Sequence, residues 1–238
     1  MASVRCAADV LGGEGDMTNV RPIIYCGEMV RAILEGRKTQ TRRVINFSNS
    51  DIVPEYARSF VCKVAGVWEA SDVNGYPMGF VRCPYGEADD HLWVRETWGA
   101  VSKTEDPSPI EECKVEYRAD LPPGCTDQPG GWPTEDARGY SEAPHWKPSI
   151  SMPRWASRIT LEVMDVRVER LQDISEEDIL REGVSPVLSI GLMSSKSYNT
   201  ESFKTEWDII NAKRGYSWDS NPWVWVISFK PVEPRAAG

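Results

Sequence analysis

Histidine is nearly missing from this chain: His91 and His145 are the only two in 238 residues. The six cysteines, at positions 6, 26, 62, 83, 113 and 125, form no CxxC pair. Zinc-ligand spacing is therefore absent, and two isolated histidines offer little for a Ser-His-Asp system. There is no GxSxG elbow, Gly-rich phosphate loop, HExxH or EF-hand loop. No apolar run approaches the ~18 residues of a membrane span. Internal repeats, low-complexity tracts and coiled-coil heptads are missing as well. Scattered cysteines without a signal peptide read as reduced thiols of a cytoplasmic protein. Neither a metal nor a cofactor is expected.

What remains is an acidic, aromatic-rich chain. Lys+Arg number 27 against 36 Asp+Glu, a formal charge of −9, and hydrophobic residues make up 41%. Such an apolar fraction suits a folded domain with a real core and excludes disorder over most of the length. The acidic balance argues against a protein that coats duplex nucleic acid, although a pocket for one base or nucleoside stays open. Ten tryptophans outnumber five phenylalanines. Tryptophan joins a stacking face to an N–H donor, so it serves either a core or a site for flat ligands.

Residues 1–16 lack both periodicity and an apolar signal, and read as a disordered leader or an upstream-start artefact. An ordered domain is expected over 17–238. An extended segment over Arg21–Tyr25 leads into a helix over 27–36, with Met29, Val30, Ile33 and Leu34 on one face. Strands are expected over 38–45, 91–98, 114–118 and 158–171, the last with a bulge near Asp165. A short helix over 175–183 opens on an N-cap Ser175 and closes at Gly183. A longer amphipathic helix over 200–214 precedes a nearly all-apolar final strand, 222–230. Two stretches break the pattern: 46–90 is mixed, and 100–155 holds nine of the seventeen prolines. The second reads as a rim or lid over a site, or as a mere insertion. With few βαβ alternations, the set fits an α+β fold, a small partly open β-barrel with short flanking helices.

The charge is not evenly spread. Between Arg31 and Arg43, five cations (Arg31, Arg37, Lys38, Arg42, Arg43) face Glu35 alone, a local charge of +4. On a strand, Thr39, Thr41 and Arg43 share one face and Gln40 and Arg42 the other. Lys38 stands at the turn before the strand, where its long stem reaches either face. One reading brings a hydroxyl, an amine and a guanidinium onto one small site. The other is a solvated basic strand edge.

The segment Ile33-Leu-Glu-Gly-Arg-Lys-Thr-Gln-Thr-Arg-Arg43 resembles the Gly-x-Lys-Thr-x-Thr-x-Arg signature of ASCH domains, small PUA-like β-barrels related to RNA- and modified-base-binding folds. The order of parts is similar too: the signature, a strand around Asp89-Asp-His-Leu-Trp-Val-Arg95, a long strand over 158–171, a Glu-rich helix over 175–183 and an apolar final strand. Longer ASCH proteins of phage type are especially similar through HLWVRETW, PRWASRITLEV and NPWVWVISF. The resemblance covers the ordered chain discontinuously, with about 46–90 and 100–150 as additions to the minimal domain. Bacterial members of this family are N(4)-acetylcytidine amidohydrolases that use a Lys, a Thr and a Glu. The resemblance places these on Lys38, Thr41 and Glu182, with Arg43 as the signature arginine. The size, the insertions and the tryptophan content depart from the minimal enzymes.

This implies hydrolysis of the exocyclic amide of an N(4)-acylated cytosine nucleoside, a small-molecule partner rather than a nucleic-acid chain. Two versions stay open. In one, Thr41 is the nucleophile and Lys38 the base, which requires neutral Lys38, well under one per cent of an ordinary lysine at pH 7. In the other, Glu182 is the base for water and charged Lys38 steadies the oxyanion. A Lys38–Glu182 pair would act against the first. Trp93 (or Trp98), Trp155 and Arg154 are candidates for holding the base, whereas Trp223 and Trp225 read as core. Other classes also stand: a non-catalytic reader of modified bases in RNA or DNA, and a phage assembly factor.

Overall fold

The computed structural model describes residues 19–64, 66–101, 113–131, 144–184 and 195–232. The expected leader, 1–16, and parts of the Pro-rich stretch lie outside these residues. In chain order the first elements are β1 (Val20–Ile24), α1 (Gly27–Leu34), β2 (Gln40–Val44), β3 (Ser59–Val64), β4 (Val67–Ser71) and β5 (Pro77–Arg82). They continue with β6 (His91–Arg95), β7 (Trp98–Val101), β8 (Lys114–Tyr117) and β9 (Thr160–Arg170). Then follow α2 (Glu176–Arg181), α3 (Ser195–Asn211) and β10 (Trp223–Pro231). The fold is mixed α+β, mostly sheet, and its sheets do not close into a barrel among the described residues. No helix among those residues is long and apolar enough to cross a membrane.

The chain divides into two compact units. One comprises Arg37–His91 and Glu162–Lys230 with Asn19 and Val20. In it β9, β10 and β2 lie side by side in that order, β10 and β2 antiparallel with Val226 opposite Arg42 and Ile227 opposite Thr41. The unbroken apolar run of β10 has a simple cause, since both of its faces are covered. On one face Val224 and Val226 join Leu171, Ile179, Val184, Phe203 and Trp207 in a core that carries α2 and α3. On the other, Trp225 meets Trp68 of β4 edge to face at 6.1 Å. Each fully buried aliphatic of this kind contributes roughly 1.5–3 kcal/mol.

The stretch 46–90, which shows no clear pattern in sequence, forms a three-stranded antiparallel meander, β3-β4-β5. Its second turn is built on Asp72, whose carboxylate accepts from the N–H groups of Asn74 and Tyr76. Gly86, at φ +92°, admits no side chain: a Cβ there would lie 2.3 Å from Oδ2 of Asp90. That carboxylate accepts from the backbone N–H groups of Asn19 and Glu87, which holds the chain just before β6.

The other unit comprises Arg21–Gly36 and Leu92–Leu161 with Pro231 and Val232. Here β1 and β6 are neighbours, and β6 lies beside the first residues of β9. Helix α1 buries Val30, Ala32 and Ile33 and ends before Gly36, whose left-handed φ of +73° suits a glycine at a helix C-terminus. The strand expected over 91–98 stops at Arg95, and Trp98 begins β7, paired with β8. Trp98, Met152 and Ala156 form the core under that hairpin. Strand β9 runs unbroken, but its buried side passes from Leu161 and Val163 to Val166, the shift of face expected near Asp165.

Candidate functional site

The Glu-rich helix α2 forms where its start signals predict. Ser175 caps it, its side chain accepting from the Asp178 N–H at 3.1 Å, and Glu176, Glu177 and Asp178 occupy the first turn. Its end is stitched to the residues that lead into β2. Lys38 and Glu182 pair as an antiparallel bridge, and the Thr39 N–H donates to the Arg181 carbonyl at 2.8 Å. Arg37 Nη1 donates to the Gly183 carbonyl at 2.5 Å. A carboxylate at a helix C-terminus meets the unfavourable end of the helix dipole. The Lys38 ammonium answers both charges, donating to the Glu182 carbonyl and to its Oε2, each at 2.8 Å.

Asp178 and Glu182 are four residues apart, so their side chains rise from one face of α2. That face meets Arg42. Its Nη1 donates to Glu182 Oε1 at 3.3 Å, and its Nη2 to Asp178 Oδ2 at 2.9 Å and Glu169 Oε2 at 3.1 Å. Arg167 of β9 completes the group, donating from Nη2 to the same Asp178 oxygen at 2.9 Å and from Nε to Glu169 Oε1. Gln40, its amide oriented to suit its neighbours, donates to Asp178 Oδ1 at 3.2 Å and accepts from Arg42 Nη1 at 2.7 Å. Three cations (Lys38, Arg42, Arg167) thus face three carboxylates (Glu169, Asp178, Glu182).

Burial sets the electrostatics. Side-chain exposure is 1% for Lys38 and Arg42 and 6% for Glu182. Burial alone would raise the Asp178 carboxyl, but the Arg42 hydrogen bond and the charges of Arg42 and Arg167 hold it below the usual carboxylate range. Burial likewise opposes the Arg167 charge, and Glu169 with Asp178 more than reverses this, raising its affinity for the proton. Buried ions without such partners cost several kcal/mol each.

Of the residues expected at the site, Lys38 and Glu182 are brought together. Thr41 is buried at 2% exposure, and it alternates to the other face of β2, opposite Ile227 of β10. Arg43, half-buried, shares that face opposite Trp225. The guanidinium at Glu182 is therefore that of Arg42. Trp93, Arg154 and Trp155 belong to the other unit. There the guanidiniums of Arg95 and Arg154 lie over the Trp93 ring, 5.3 and 5.8 Å from its centroid. Arg154 is exposed and donates to Thr160 Oγ1 at 3.3 Å. Trp155 is 44% exposed and stands edge to face against buried Trp98 at 5.9 Å. Trp223 and Trp225 are core, as expected.

Sequence reasoning passed over Asp178, Arg167 and Glu169. Signals for them exist: the four-residue spacing of Asp178 and Glu182, and two charged residues alternating with Val166 and Val168 on a strand. It also passed over Glu96, 1% exposed, whose carboxylate takes Arg158 in a fork at 2.9 and 3.0 Å. Arg158 also reaches Asp120 at 2.8 Å and lies 3.9 Å over the Tyr117 ring. Burial raises the Glu96 carboxyl above the ordinary range, although Arg158 pulls the other way.

No protein-family model, no curated protein and no solved structure matches the chain. Cys26, Cys62, Cys83, Cys113 and Cys125 are free thiols. Among the described residues no group of three or more His, Cys, Asp or Glu is arranged to hold a metal ion.

Proposed function

We propose that this chain is an amidohydrolase with a PUA-like, ASCH-type fold that removes the acyl group from N(4)-acylated cytidine. The observation that carries this reading is the buried Lys38–Glu182 pair at 2.8 Å, reinforced by Arg42. An ammonium tied to a carboxylate keeps its proton, so Lys38 is an electrophilic partner and not a base. Glu182 takes a proton from water, and the hydroxide adds to the acyl carbon. The Lys38 ammonium stabilises the oxyanion that forms. Collapse breaks the C–N bond, and the proton held by Glu182 passes to the departing N4 amine, leaving cytidine and the carboxylic acid, which loses its proton to solvent. Water is the nucleophile in this reading, because Thr41 alternates to the face of β2 that bears Ile227 and Trp225 on its partner strand.

The test is direct. Purified protein is incubated with N(4)-acetylcytidine, and the ultraviolet change on conversion to cytidine is followed, with other N(4)-acyl groups in parallel. Turnover abolished by Glu182→Gln supports the proposal. Absence of turnover with every acyl group, together with binding of an oligonucleotide, transfers the protein to a second reading, a non-catalytic reader of modified bases. That reading draws on the exposed Trp155 and Arg154.

A further inference from the structure

The hold on Arg42 is uneven. Its contact with Glu182, at 3.3 Å, is longer than those with Asp178 and Glu169, at 2.9 and 3.1 Å. Arg167 binds the same two acids, so Arg42, Asp178, Arg167 and Glu169 close a ring of alternating charge. A guanidinium is planar and rigid, so fixing Nη2 between two carboxylates also fixes where Nη1 points. Nη1 is the nitrogen that reaches Glu182.

We infer that Asp178 is a positioning residue for the Glu182 carboxylate: through the ring it holds Arg42 at a set distance and shares its charge. The inference rests on Glu182 acting as the base of the proposed hydrolysis. Arg42 divides its charge among three carboxylates, so the ring limits how much of it falls on Glu182. Without the Asp178 charge, Arg42 is shared between Glu169 and Glu182 alone, and more of its charge falls on Glu182. Glu182 contacts Lys38 and Arg42, with Asp178, Glu169 and Arg167 one contact further on. The lead-in to β2 also carries Arg37, β9 carries Asp165, α2 carries Glu177 and Arg181, and α3, packed on α2, carries Glu201, Lys204, Glu206 and Asp208. Of these, Glu177 and Arg181 pair with each other at 2.6 Å on the exposed side. The β10 residues facing β2 over its described register (Val224 to Ser228) are uncharged.

The experiment compares Asp178→Asn, Asp178→Glu and Glu169→Gln with the parent chain. The acid limb of kcat/KM against pH moves down by about one unit in Asp178→Asn, the size of a neighbouring-charge effect. Asp178→Glu restores most of that shift. Glu169→Gln, at the more exposed end of the ring, moves the limb in the same direction and serves if Asp178→Asn does not fold. The carboxyl carbon of Glu182, followed by NMR in glutamate-labelled protein, titrates lower in both neutral variants, whether or not the chain hydrolyses anything. An inactive chain with shifted Glu182 titration overturns the hydrolase reading and keeps the positioning role. Folded variants whose Glu182 titration and pH profile match the parent overturn the positioning role.

Discussion

Asp178 and Glu182, one helical turn apart, grip different nitrogens of a single guanidinium, Nη2 and Nη1 of Arg42, at 2.9 and 3.3 Å. The helix contributes its spacing and the strand its arginine, and neither alone specifies the arrangement. The consequences for stability and turnover follow from how thoroughly these charges are buried.

Removing one member of the buried pair leaves a desolvated charge behind. Lys38→Met is expected to lower stability by ~3 kcal/mol, measured by urea unfolding at pH 7. The double variant Lys38→Met/Glu182→Leu recovers much of that loss, because a well-packed apolar pair replaces a costly ionic one. Turnover is absent in both. A double variant less stable than the single one would contradict this account of the site.

Thr41→Ala keeps kcat/KM within roughly threefold of the parent if water attacks directly, a difference of less than ~1 kcal/mol in barrier. The acetylcytidine assay measures it. A loss of a hundredfold or more would restore Thr41 as the nucleophile.

Asp178 binds its proton less tightly in the folded chain than an unfolded aspartate does. Its contribution to stability is therefore present above the unfolded value, about 3.9, and lost as pH falls through the lower folded one. The stability gap between the parent and Asp178→Asn should be widest near neutrality and narrow steadily below pH 4. Denaturant melts at a series of pH values give this curve, and a gap that grows in acid would reverse the assignment.

Glu96 behaves in the opposite sense. Its folded carboxyl is raised, mainly by burial, so its contribution is complete below the unfolded value of about 4.3 and declines as pH rises through the folded one. Glu96→Gln should therefore show a flatter dependence of unfolding free energy on pH than the parent in the window above the unfolded value. Parallel curves for the two proteins would show that Glu96 does not titrate in this window.

Much of this was legible because local signals and global packing agree. Ser175, the three acids after it and Gly183 announce α2, and the double-sided burial of β10 explains why its apolar run reads so plainly. The meander over 59–82 was not legible. Its strands are five or six residues long, and Val61, Val64 and Phe80 are exposed apolar residues, which blurs the alternation. At the site, sequence supplied Lys38 and Glu182 through resemblance, but the choice between Arg42 and Arg43 hangs on one step of strand alternation. Only the pairing with β10 and the packing of α2 decide it. Glu96 and Arg158 are 62 residues apart, and no local pattern links them.

The strip that looks basic in sequence is quieter in the folded chain. Lys38 and Arg42 turn inward, and with Arg167 they are balanced charge for charge by Glu169, Asp178 and Glu182. Seen from beyond a Debye length, about 8 Å at physiological ionic strength, the cluster presents almost no monopole. It exerts no long-range pull on polyphosphate chains, and under the proposed hydrolysis binding of the uncharged nucleoside should change little with added salt.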